Sequence, residues 1–564
     1  MDPTPYLAPK PAPCIVFDAL PSRSERVRFH VPDGDGWRDV TWGAFAADIQ
    51  HLALWLRAAG LQRGDRAAIL APNSVQWMTA ALAIQAAGGV MVPVYASCTA
   101  EQVRHVVGHS DASFVFVATD PLADKLHEAL APLPTPPQVV RFDGAATGPA
   151  LAAHNLSEAL EIGAALHGED TGAIGRLLDA ISLEDGAVML YTSGTSGLPK
   201  GVPLTHLNVA SNGRDWLQCN ATMLADPDGE APDVDLLWLP MSHIFGFGEA
   251  CLGNTLGFET WLCEPIDLFK HLPEVRPTVF MSVPAVFEKL ASFAMKAGDE
   301  AAQAQRLDEL TGGRFHFLLS GGAGLSVAVK QFFHRNGLLI IEGYGLTEAS
   351  PTLTLNRPDA FRFDSVGRPL PSVALRLADD GEILARGPNI FAGYHKDPEA
   401  TAAAFTDDGW LCTGDVGRFT EDGFLQIIDR KKDIFVLASG KNVPPANVEL
   451  RFADDDLVGH LVLFGDGRRF LTAGVWLDPL AEAAFRGAKP VDLSEAQVRA
   501  LLREEVERRI AAVNAGLARH ETIKRFEVIH SPLTIESGLL TATLKVRRRQ
   551  VHQMFAETFA AMYA

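Results

Sequence analysis

The chain of 564 residues is poor in cysteine and in basic residues, and both shortages limit what it can be. Its six cysteines are scattered without any Cys-x-x-Cys pair, which argues against a zinc site and against a disulfide framework. Reduced thiols are typical of the cytoplasm, so the sequence predicts a cytoplasmic location. Only 49 residues are basic against 69 acidic ones, and the net charge of -20 disfavours nonspecific binding to nucleic acid or to anionic lipid.

Long hydrophobic runs are missing as well. The longest run, residues 80–96, is interrupted by Gln85, two adjacent glycines and Pro93. We interpret it as a buried helix, a turn and a strand rather than as a transmembrane segment. Residues 1–13 contain five prolines and no basic start before an apolar stretch, which predicts that they are not a signal peptide.

The composition that remains is that of a folded protein with more than one domain. The content of 47% hydrophobic and 21% charged residues is ordinary for a globular chain, and the length is too great for a single core. A helical pattern at 42–59 alternates with short strand patterns at 66–70 and 113–117. Such alternation predicts an α/β fold with parallel sheets covered by helices.

Residues 191–201, with the sequence Tyr-Thr-Ser-Gly-Thr-Ser-Gly-Leu-Pro-Lys-Gly, predict a phosphate-binding loop after a strand. Seven of the eleven are Gly, Ser or Thr, so the backbone can approach an anion while hydroxyls and Lys200 neutralise it. The Walker A loop is excluded, because its lysine must follow glycine and precede Ser or Thr. A flexible linker is the other alternative, although linkers seldom end in Pro-Lys-Gly between two apolar runs.

A second group, Glu-Gly-Tyr-Gly-Leu-Thr-Glu at residues 342–348, follows the apolar run 338–341. Glycines on both sides of Tyr344 would let a planar base lie against its ring. Thr347 could donate to a phosphate, and Glu348 could hold Mg²⁺. A strand–turn–helix junction capped by Thr347 explains the same residues equally well.

A third group comprises residues 410–415 and 429–433. We expect Asp415 to lie in a turn, where its carboxylate could accept both hydroxyls of a ribose, and Arg430 could reach the same sugar. Without this context, residues 429–433 would more often be an exposed run of charges. A Gly-Lys-Asn sequence starting at Gly440 predicts a loop that leads into a new domain.

A fourth group, residues 538–549, places Lys545 in a Thr-rich stretch before three arginines. Alone it predicts no more than an exposed helix start. Together with the other groups it supplies a further cation at a site where anions would meet.

In this order the four groups resemble the adenylate-forming (AMP-binding) enzyme superfamily, and most closely its medium- and long-chain fatty acyl-CoA synthetases. The likeness extends from about Trp42 to Tyr563. It implies a large N-terminal AMP-binding domain, residues 1–429, of stacked mainly parallel sheets with flanking helices and a distorted β-barrel. Residues 430–564 would form a small mobile α+β domain.

The resemblance also assigns roles to individual residues. The catalytic residues would be Lys545, Lys200, Thr347, Glu348 and His243, although a core histidine with its hydrogen bonds satisfied explains His243 equally well. The phosphates of ATP would be bound by Thr192, Ser193, Gly194, Thr195, Ser196, Gly197, Lys200 and Thr347. The adenosine would be bound by Gly321, Gly322, Ala323, Gly343, Tyr344, Gly345, Asp415 and Arg430. Gly440 would approach the site after the C-terminal domain rotates about Lys432, and Glu348 would be the ligand of the Mg²⁺ cofactor.

The implied function is that of an ATP-dependent acyl-CoA ligase with ATP and CoA as cosubstrates. Its acid would be hydrophobic, because the residues expected around it are mainly apolar, namely Phe245, Val283, Pro284, Phe287 and residues 321–323. Two departures from the long-chain pattern, Ala542 in place of proline and Gly246-Phe247 in place of Glu-Arg, leave the chain length or aromatic nature of the acid open.

Two alternatives remain. An adenylating enzyme could pass its acyl group to a carrier protein or an amine, which would have to act in trans because only nineteen residues follow Lys545. A noncatalytic nucleotide-binding protein with the same fold is the second, and it would be expected to have lost Glu348 or Lys545.

Overall fold

The computed structural model describes residues 7–142, 153–192, 199–220, 231–453, 455–488, 493–534, 537–540 and 546–564. The helices within these ranges are α1 (Ala12–Arg23), α2 (Trp42–Ala58), α3 (Val75–Ala86), α4 (Ala100–His109), α5 (Asp120–Leu130), α6 (Leu156–Glu169), α7 (Ala173–Asp179), α8 (His206–Asn220), α9 (Ile244–Leu256), α10 (Leu268–Val275), α11 (Pro284–Met295), α12 (Glu300–Thr311), α13 (Val327–Arg335), α14 (Pro398–Ala404), α15 (Pro445–Glu449), α16 (Pro479–Gly487), α17 (Glu495–Asn514), α18 (Arg548–Met554) and α19 (Ala556–Ala561). Short 3-10 helices cover Pro265–Asp267, Thr347–Ala349 and Leu450–Phe452.

The strands of the same ranges are β1 (Val27–Asp33), β2 (Gly36–Thr41), β3 (Arg66–Leu70), β4 (Val90–Val94), β5 (Ala112–Val117), β6 (Gln138–Arg141), β7 (Ala153–Asn155), β8 (Gly186–Thr192), β9 (Lys200–Thr205), β10 (Val234–Leu237), β11 (Glu259–Leu262), β12 (Val279–Ser282), β13 (Phe317–Ser320), β14 (Ile340–Gly345), β15 (Thr352–Leu355), β16 (Arg368–Pro369), β17 (Ala374–Leu377), β18 (Glu382–Arg386), β19 (Leu411–Phe419), β20 (Leu425–Arg430), β21 (Phe435–Val436), β22 (Asn442–Val443), β23 (Val458–Phe464), β24 (Leu471–Leu477) and β25 (Ile523–Val528).

Two large sheets, both mainly parallel, form the bulk of the fold. One has the order β7-β6-β5-β3-β4-β8-β9, and only its last pair is antiparallel. The other has the order β16-β15-β14-β13-β12-β10-β11-β1-β2, and it is parallel from β14 to β1. A four-stranded antiparallel sheet, β17-β18-β19-β20, provides the barrel-like part. The predicted α/β class, with its stacked parallel sheets, is confirmed.

The predicted helix and strand patterns recur in the structure. The pattern at 42–59 is α2, and the run 80–96 is the end of α3, a turn and β4. Nearly every residue of α3 is buried, which explains why its sequence is mainly apolar all round. No helix in the described part of the chain is long and apolar enough to cross a membrane.

One local prediction about the third group is wrong. Asp415 lies inside β19 and not in a turn, although Gly414 before it has φ +75°. In the second group, the apolar run 338–341 leads into β14, which starts at Ile340 and continues through the Gly-Tyr-Gly residues. Pairing with β15 extends it, and a Cβ on Gly345 would lie 1.8 Å from the Pro351 carbonyl oxygen. This close backbone approach is a reason for Gly345 that the sequence argument did not give.

The buried apolar residues fall into separate clusters. The largest contains residues between Val16 and Leu411, and two smaller ones lie between Phe435 and Phe526 and between Val462 and Met562. A domain boundary near residue 430 remains a prediction that this division supports.

Candidate active site

A cavity of about 1580 Å³ lies where the ends of strands from both large sheets meet the C-terminal residues. Its lining includes residues from each of the four sequence groups. The predicted residues that line it are Thr192, Lys200, His243, Gly321, Gly322, Gly343, Tyr344, Gly345, Thr347, Glu348, Asp415 and Arg430. Segments more than 200 residues apart in the sequence therefore converge on one space, as the resemblance implies.

The phosphate-loop group enters the cavity through a β-hairpin. Thr192 at the end of β8 pairs with Lys200 at the start of β9. The Lys200 ammonium lies 3.7 Å from a carboxylate oxygen of Asp397 and 4.9 Å from the centre of the Tyr394 ring. Its side chain is 41% exposed, so the charge remains accessible to an anion in the cavity.

Tyr394 links Lys200 to the second group. Its hydroxyl donates to Glu348 Oε1 at 2.8 Å. Burial and the Glu348 carboxylate raise the pKa of Tyr394 far above the usual tyrosine value, so this hydroxyl stays protonated. The Glu348 carboxylate is thus oriented at the cavity surface beside the lysine.

Elsewhere in the cavity lining, Tyr344 and Asp415 are joined directly. The Tyr344 hydroxyl donates to Asp415 Oδ2 at 2.7 Å, and Arg430 Nε lies 3.5 Å from Oδ1. Burial and the carboxylate raise the pKa of Tyr344 well above its ordinary value. Asp415 is buried and its backbone amide donates to Thr413 Oγ1 at 3.2 Å, while the hydrogen bond from Tyr344 orients its carboxylate.

His243 stands at the start of α9, where its Nδ1 accepts a hydrogen bond from the Phe245 amide at 3.1 Å. It therefore caps a helix as well as lining the cavity. The neighbouring Phe245 ring packs on Gly321, where an added Cβ would lie 3.1 Å from the ring. Of the apolar set expected around the acid, Phe245 and Gly321 to Gly322 line the cavity, whereas Phe287 is fully buried in the core.

A cluster of buried polar side chains packs against α9. The Arg28 guanidinium donates to Asn254 Oδ1 at 2.8 Å and to Thr260 Oγ1 at 2.6 Å. Two buried carboxyls, Asp235 and Glu249, lie beside it. Burial raises the pKa of Asp235 to about 7, and burial together with Asp235 raises the pKa of Glu249.

The third group connects the two parts of the chain. Lys431 lies 2.5 Å from Asp380 and 2.8 Å from Glu382, and these hydrogen bonds raise its pKa. Burial lowers the pKa of the next residue, Lys432. The buried Asp429 accepts hydrogen bonds from the amides of Arg430 and Ala446, at 2.7 and 2.9 Å. Residues 430–432 are exposed, as an ordinary run of charges would be, while the contacts of Lys431 and of the buried Asp429 also tether this segment.

The C-terminal residues close the cavity. Val546 to Gln550 contribute to its lining, and Arg548 binds Glu449 through both nitrogens, with Nη2 to Oε2 at 2.6 Å. The amide of Arg547 donates to the Leu539 carbonyl at 2.8 Å. Leu539 and Arg547 are therefore bonded to each other, and Arg548 is held by Glu449.

Some predicted residues are not brought into the cavity or lie outside the described ranges. Ala323 is absent from the lining, and so is Gly440, which lies in the exposed β21–β22 turn with φ +77°. The predicted residues outside the described ranges are Ser193, Gly194, Thr195, Ser196, Gly197 and Lys545, and Ala542 is a further one. Their roles remain predictions.

Sequence reasoning missed Tyr394, Asp397 and the acidic partners of Lys431. The only signal was the aromatic and acidic run after Gly393, which resembles many surface turns. It also missed His105 and His109, because two histidines four residues apart on a helix have no specific meaning without their neighbours.

Comparison with known families shows two matches. Residues 18–395 match the model of the AMP-binding enzyme family, and residues 432–564 match that of the AMP-binding enzyme C-terminal domain. The first match alone covers more than half of the chain. The predicted resemblance to adenylate-forming enzymes is confirmed.

Individual proteins agree with these matches. A long-chain-fatty-acid–CoA ligase of Mycobacterium bovis is 33% identical, over 93% of this chain and 92% of that protein. Human long-chain-fatty-acid–CoA ligase 1 is 28% identical, over 92% and 82%. The adenylation domain of a carboxylate reductase from Mycobacterium chelonae superposes with a TM-score of 0.79 at 21% identity, over 98% of this chain and 91% of that one, which shows the shared fold.

Proposed function

Because the chain belongs to the AMP-binding enzyme family, we propose that it is an ATP-dependent acyl-CoA ligase acting on a hydrophobic acid, of the medium- or long-chain fatty type. The observation that carries the proposal is the convergence of the four sequence groups on one cavity. The fatty-acid part is supported by the names of the relatives at about 30% identity.

The first half-reaction would join two anions. The acid's carboxylate oxygen attacks the α-phosphorus of ATP, the bond to the bridging oxygen of the β-phosphate breaks, and pyrophosphate leaves with the acyl-adenylate remaining. Lys200, at the start of β9, would neutralise the charge that gathers in this step. The resemblance gives Lys545 the same role. Thr347 would donate to the α-phosphate.

The adenosine would be bound elsewhere in the same cavity. Its base would lie against Tyr344, and the ribose hydroxyls would donate to the Asp415 carboxylate. The hydrogen bond of 2.7 Å between these residues supports the assignment, because it fixes ring and carboxylate relative to each other. Arg430 lies close enough to Asp415 to contact the same sugar.

The site has the oxygen donors that Mg²⁺ prefers. Glu348 offers a carboxylate at the cavity surface, and Thr347 offers a hydroxyl beside it. Within the described residues no group of three or more acidic, His or Cys side chains could hold a metal on its own. This donor set fits Mg²⁺ bound through one carboxylate plus substrate phosphates, where the ion would neutralise phosphate charge.

The second half-reaction would transfer the acyl group to CoA. The thiol sulfur attacks the acyl carbonyl, its proton is lost, and AMP leaves with the former carboxylate oxygen. We propose that the C-terminal domain, residues 430–564, rotates about Lys432 between the two steps. The tethering of Arg430 and Lys431 to the N-terminal side and the position of Gly440 away from the cavity support such a rotation.

The proposal is tested by following AMP and acyl-CoA formation with purified protein, ATP, Mg²⁺ and CoA. Decanoate, palmitate and benzoate are compared, each with and without CoA. Acid-dependent AMP that rises strongly with CoA, in step with acyl-CoA, is the expected result. Tyr344→Ala should lower this activity, and substitution of the exposed His127 should not.

Three outcomes would contradict parts of the proposal. Acid-dependent pyrophosphate exchange without stimulation by CoA would point to a carrier-protein or amine acceptor. A preference for benzoate over both fatty acids would overturn the substrate class. No turnover with any acid, in a protein that binds ATP, would favour the noncatalytic alternative.

A further inference from the structure

Two histidines on one face of α4 contact the β8–β9 hairpin, one just before the start of β9 and the other near the end of β8. His105 Nε2 lies 2.8 Å from the Pro199 carbonyl oxygen, and His109 Nδ1 lies 2.9 Å from the Tyr191 hydroxyl. Because a carbonyl can only accept, His105 must carry its proton on Nε2 and donate it. The two residues are four apart, so they share a helix face.

The atoms that they contact are adjacent to the residues proposed to bind phosphate. Pro199 precedes Lys200, and Tyr191 precedes Thr192. In the β8–β9 pair Thr192 lies opposite Lys200, and both side chains reach the cavity. Contacts that hold Tyr191 and Pro199 in place therefore also determine the position of the Lys200 ammonium.

The helix that bears the histidines is firmly placed. Thr99 and Gln102 form a reciprocal cap at its start, and Val103, Val106 and Val107 are buried on its inner face. Long-range packing, rather than the hairpin alone, thus decides the position of the two imidazoles.

A third histidine completes the contact. The rings of His105 and His109 stack with their centres 5.2 Å apart, and the His395 ring meets His109 edge-on at 5.3 Å. The amide of His395 donates to the Gly201 carbonyl at 2.9 Å. Burial, with the nearby His105, His395 and Lys396, lowers the pKa of His109, while Asp111 opposes them. His109 therefore favours the neutral form, which can hydrogen-bond to tyrosine without adding charge.

We propose that His105 and His109 are positioning residues for ATP. They hold the end of β8 and the start of β9 in place, so that Thr192 and Lys200 meet the phosphates. The inference rests on the proposed function, since it takes ATP as the ligand. Neither histidine touches the reacting atoms. Their contribution is to the binding of the nucleotide.

The test compares His105→Phe, which removes the donor, with His105→Gln, whose amide nitrogen can replace Nε2. His127→Phe is the matched control, because His127 is exposed on α5. Steady-state KM values for ATP, acid and CoA are measured, together with ATP binding by calorimetry and the thermal unfolding midpoint. Loss of one hydrogen bond predicts a rise of about three- to tenfold in KM and Kd for ATP.

The expected pattern is specific. His105→Phe raises both ATP constants and leaves the KM values for acid and CoA unchanged, while His105→Gln returns the ATP constants to within about twofold of wild type. Tyr191→Phe, which breaks the His109 contact from the other side, should have an effect of the same kind. This variant keeps the inference testable if His105→Phe fails to fold.

Unchanged ATP affinity in folded His105→Phe and Tyr191→Phe would overturn the inference. An equal rise in all three KM values, or no rescue by glutamine, would also overturn it, because both indicate a general structural role. If the wild-type protein forms no acid-dependent AMP, the proposed ligase function fails instead. Calorimetry with ATP alone then still decides whether the histidines support nucleotide binding.

Discussion

The two walls of the cavity differ in how they are held. The wall formed by residues before 430 contains strand ends of the two large sheets, and hydrogen bonds from Tyr344 to Asp415 and from Tyr394 to Glu348 orient side chains within it. The wall after Lys432 belongs to a part with its own small apolar clusters. Such a division would allow the nucleotide wall to keep its geometry while the other wall moves.

The largest effect is expected from removing Lys545, the cation that the resemblance assigns to the adenylation step. Lys545→Ala should slow adenylate formation by at least about 100-fold, about 2.7 kcal/mol, as expected for loss of one preorganised charge in the transition state. Acid-dependent pyrophosphate exchange measures this step, and Lys524→Ala, an exposed lysine on β25, is the control. Exchange at the wild-type rate would remove Lys545 from the mechanism.

On the fixed wall, Asp415→Asn should raise the KM for ATP by about tenfold or more. The substitution keeps the shape of the side chain and removes the charge that Arg430 and the ribose hydroxyls would contact. The comparison is with Asp379→Asn, at an exposed position. If the KM for ATP is unchanged and only kcat falls, Asp415 does not bind the ribose.

Substitutions at Lys432, between the two walls, test most directly whether one wall moves relative to the other. Lys432→Pro fixes φ at the proposed pivot, so thioester formation should fall at least about tenfold while pyrophosphate exchange stays within about twofold. Lys432→Ala, which leaves the backbone free, is the control. Equal loss of both half-reactions would place the pivot elsewhere.

The buried carboxyl pair Asp235 and Glu249 at α9 predicts that the stability of the part of the chain before residue 430 depends on pH. The folded state holds protons on Asp235 and Glu249 at pH values where the unfolded chain has lost them. The free energy of unfolding should therefore fall as the pH rises from about 4 to 7. Glu249→Gln should raise it at pH 8 by about 1 kcal/mol or more and flatten this dependence.

Thermal unfolding at several pH values measures the effect, with the exposed Glu101→Gln as control. A stability curve that is the same for Glu249→Gln and wild type would mean that the pair is not protonated in the folded protein.

The smallest effect is expected for Lys431→Met, which removes the tether to Asp380 and Glu382. The lysine side chain is 48% exposed, so the pairs should contribute less than about 1 kcal/mol to stability. We expect thioester formation to slow by about two- to threefold, because the proposed rotation of the C-terminal domain is no longer confined to a pivot at Lys432. Single-turnover transfer from preformed adenylate measures it against Lys296→Met, at an exposed position, and a tenfold loss would show that the tether is itself essential.

Much of the fold followed from patterns that depend on neighbours in the chain. The apolar run of α3 and β4 and the strand before the phosphate loop were recognisable because burial imposes a local periodicity on the sequence. The position of Asp415 was mistaken, because strand pairing with β18 and β20 extends β19 through a segment that has the composition of a turn.

The sequence by itself determined the family, the α/β class and the chemical character of four separate groups, since these reside in residue types and local spacing. Tertiary structure alone decided that Tyr394 holds Glu348, that Lys431 is tethered by Asp380 and Glu382, and that His105 and His109 reach the phosphate-loop hairpin. The physical reason is the range of the interactions. Each of these contacts joins residues dozens of positions apart, and only the packing of the sheets brings them within hydrogen-bonding distance.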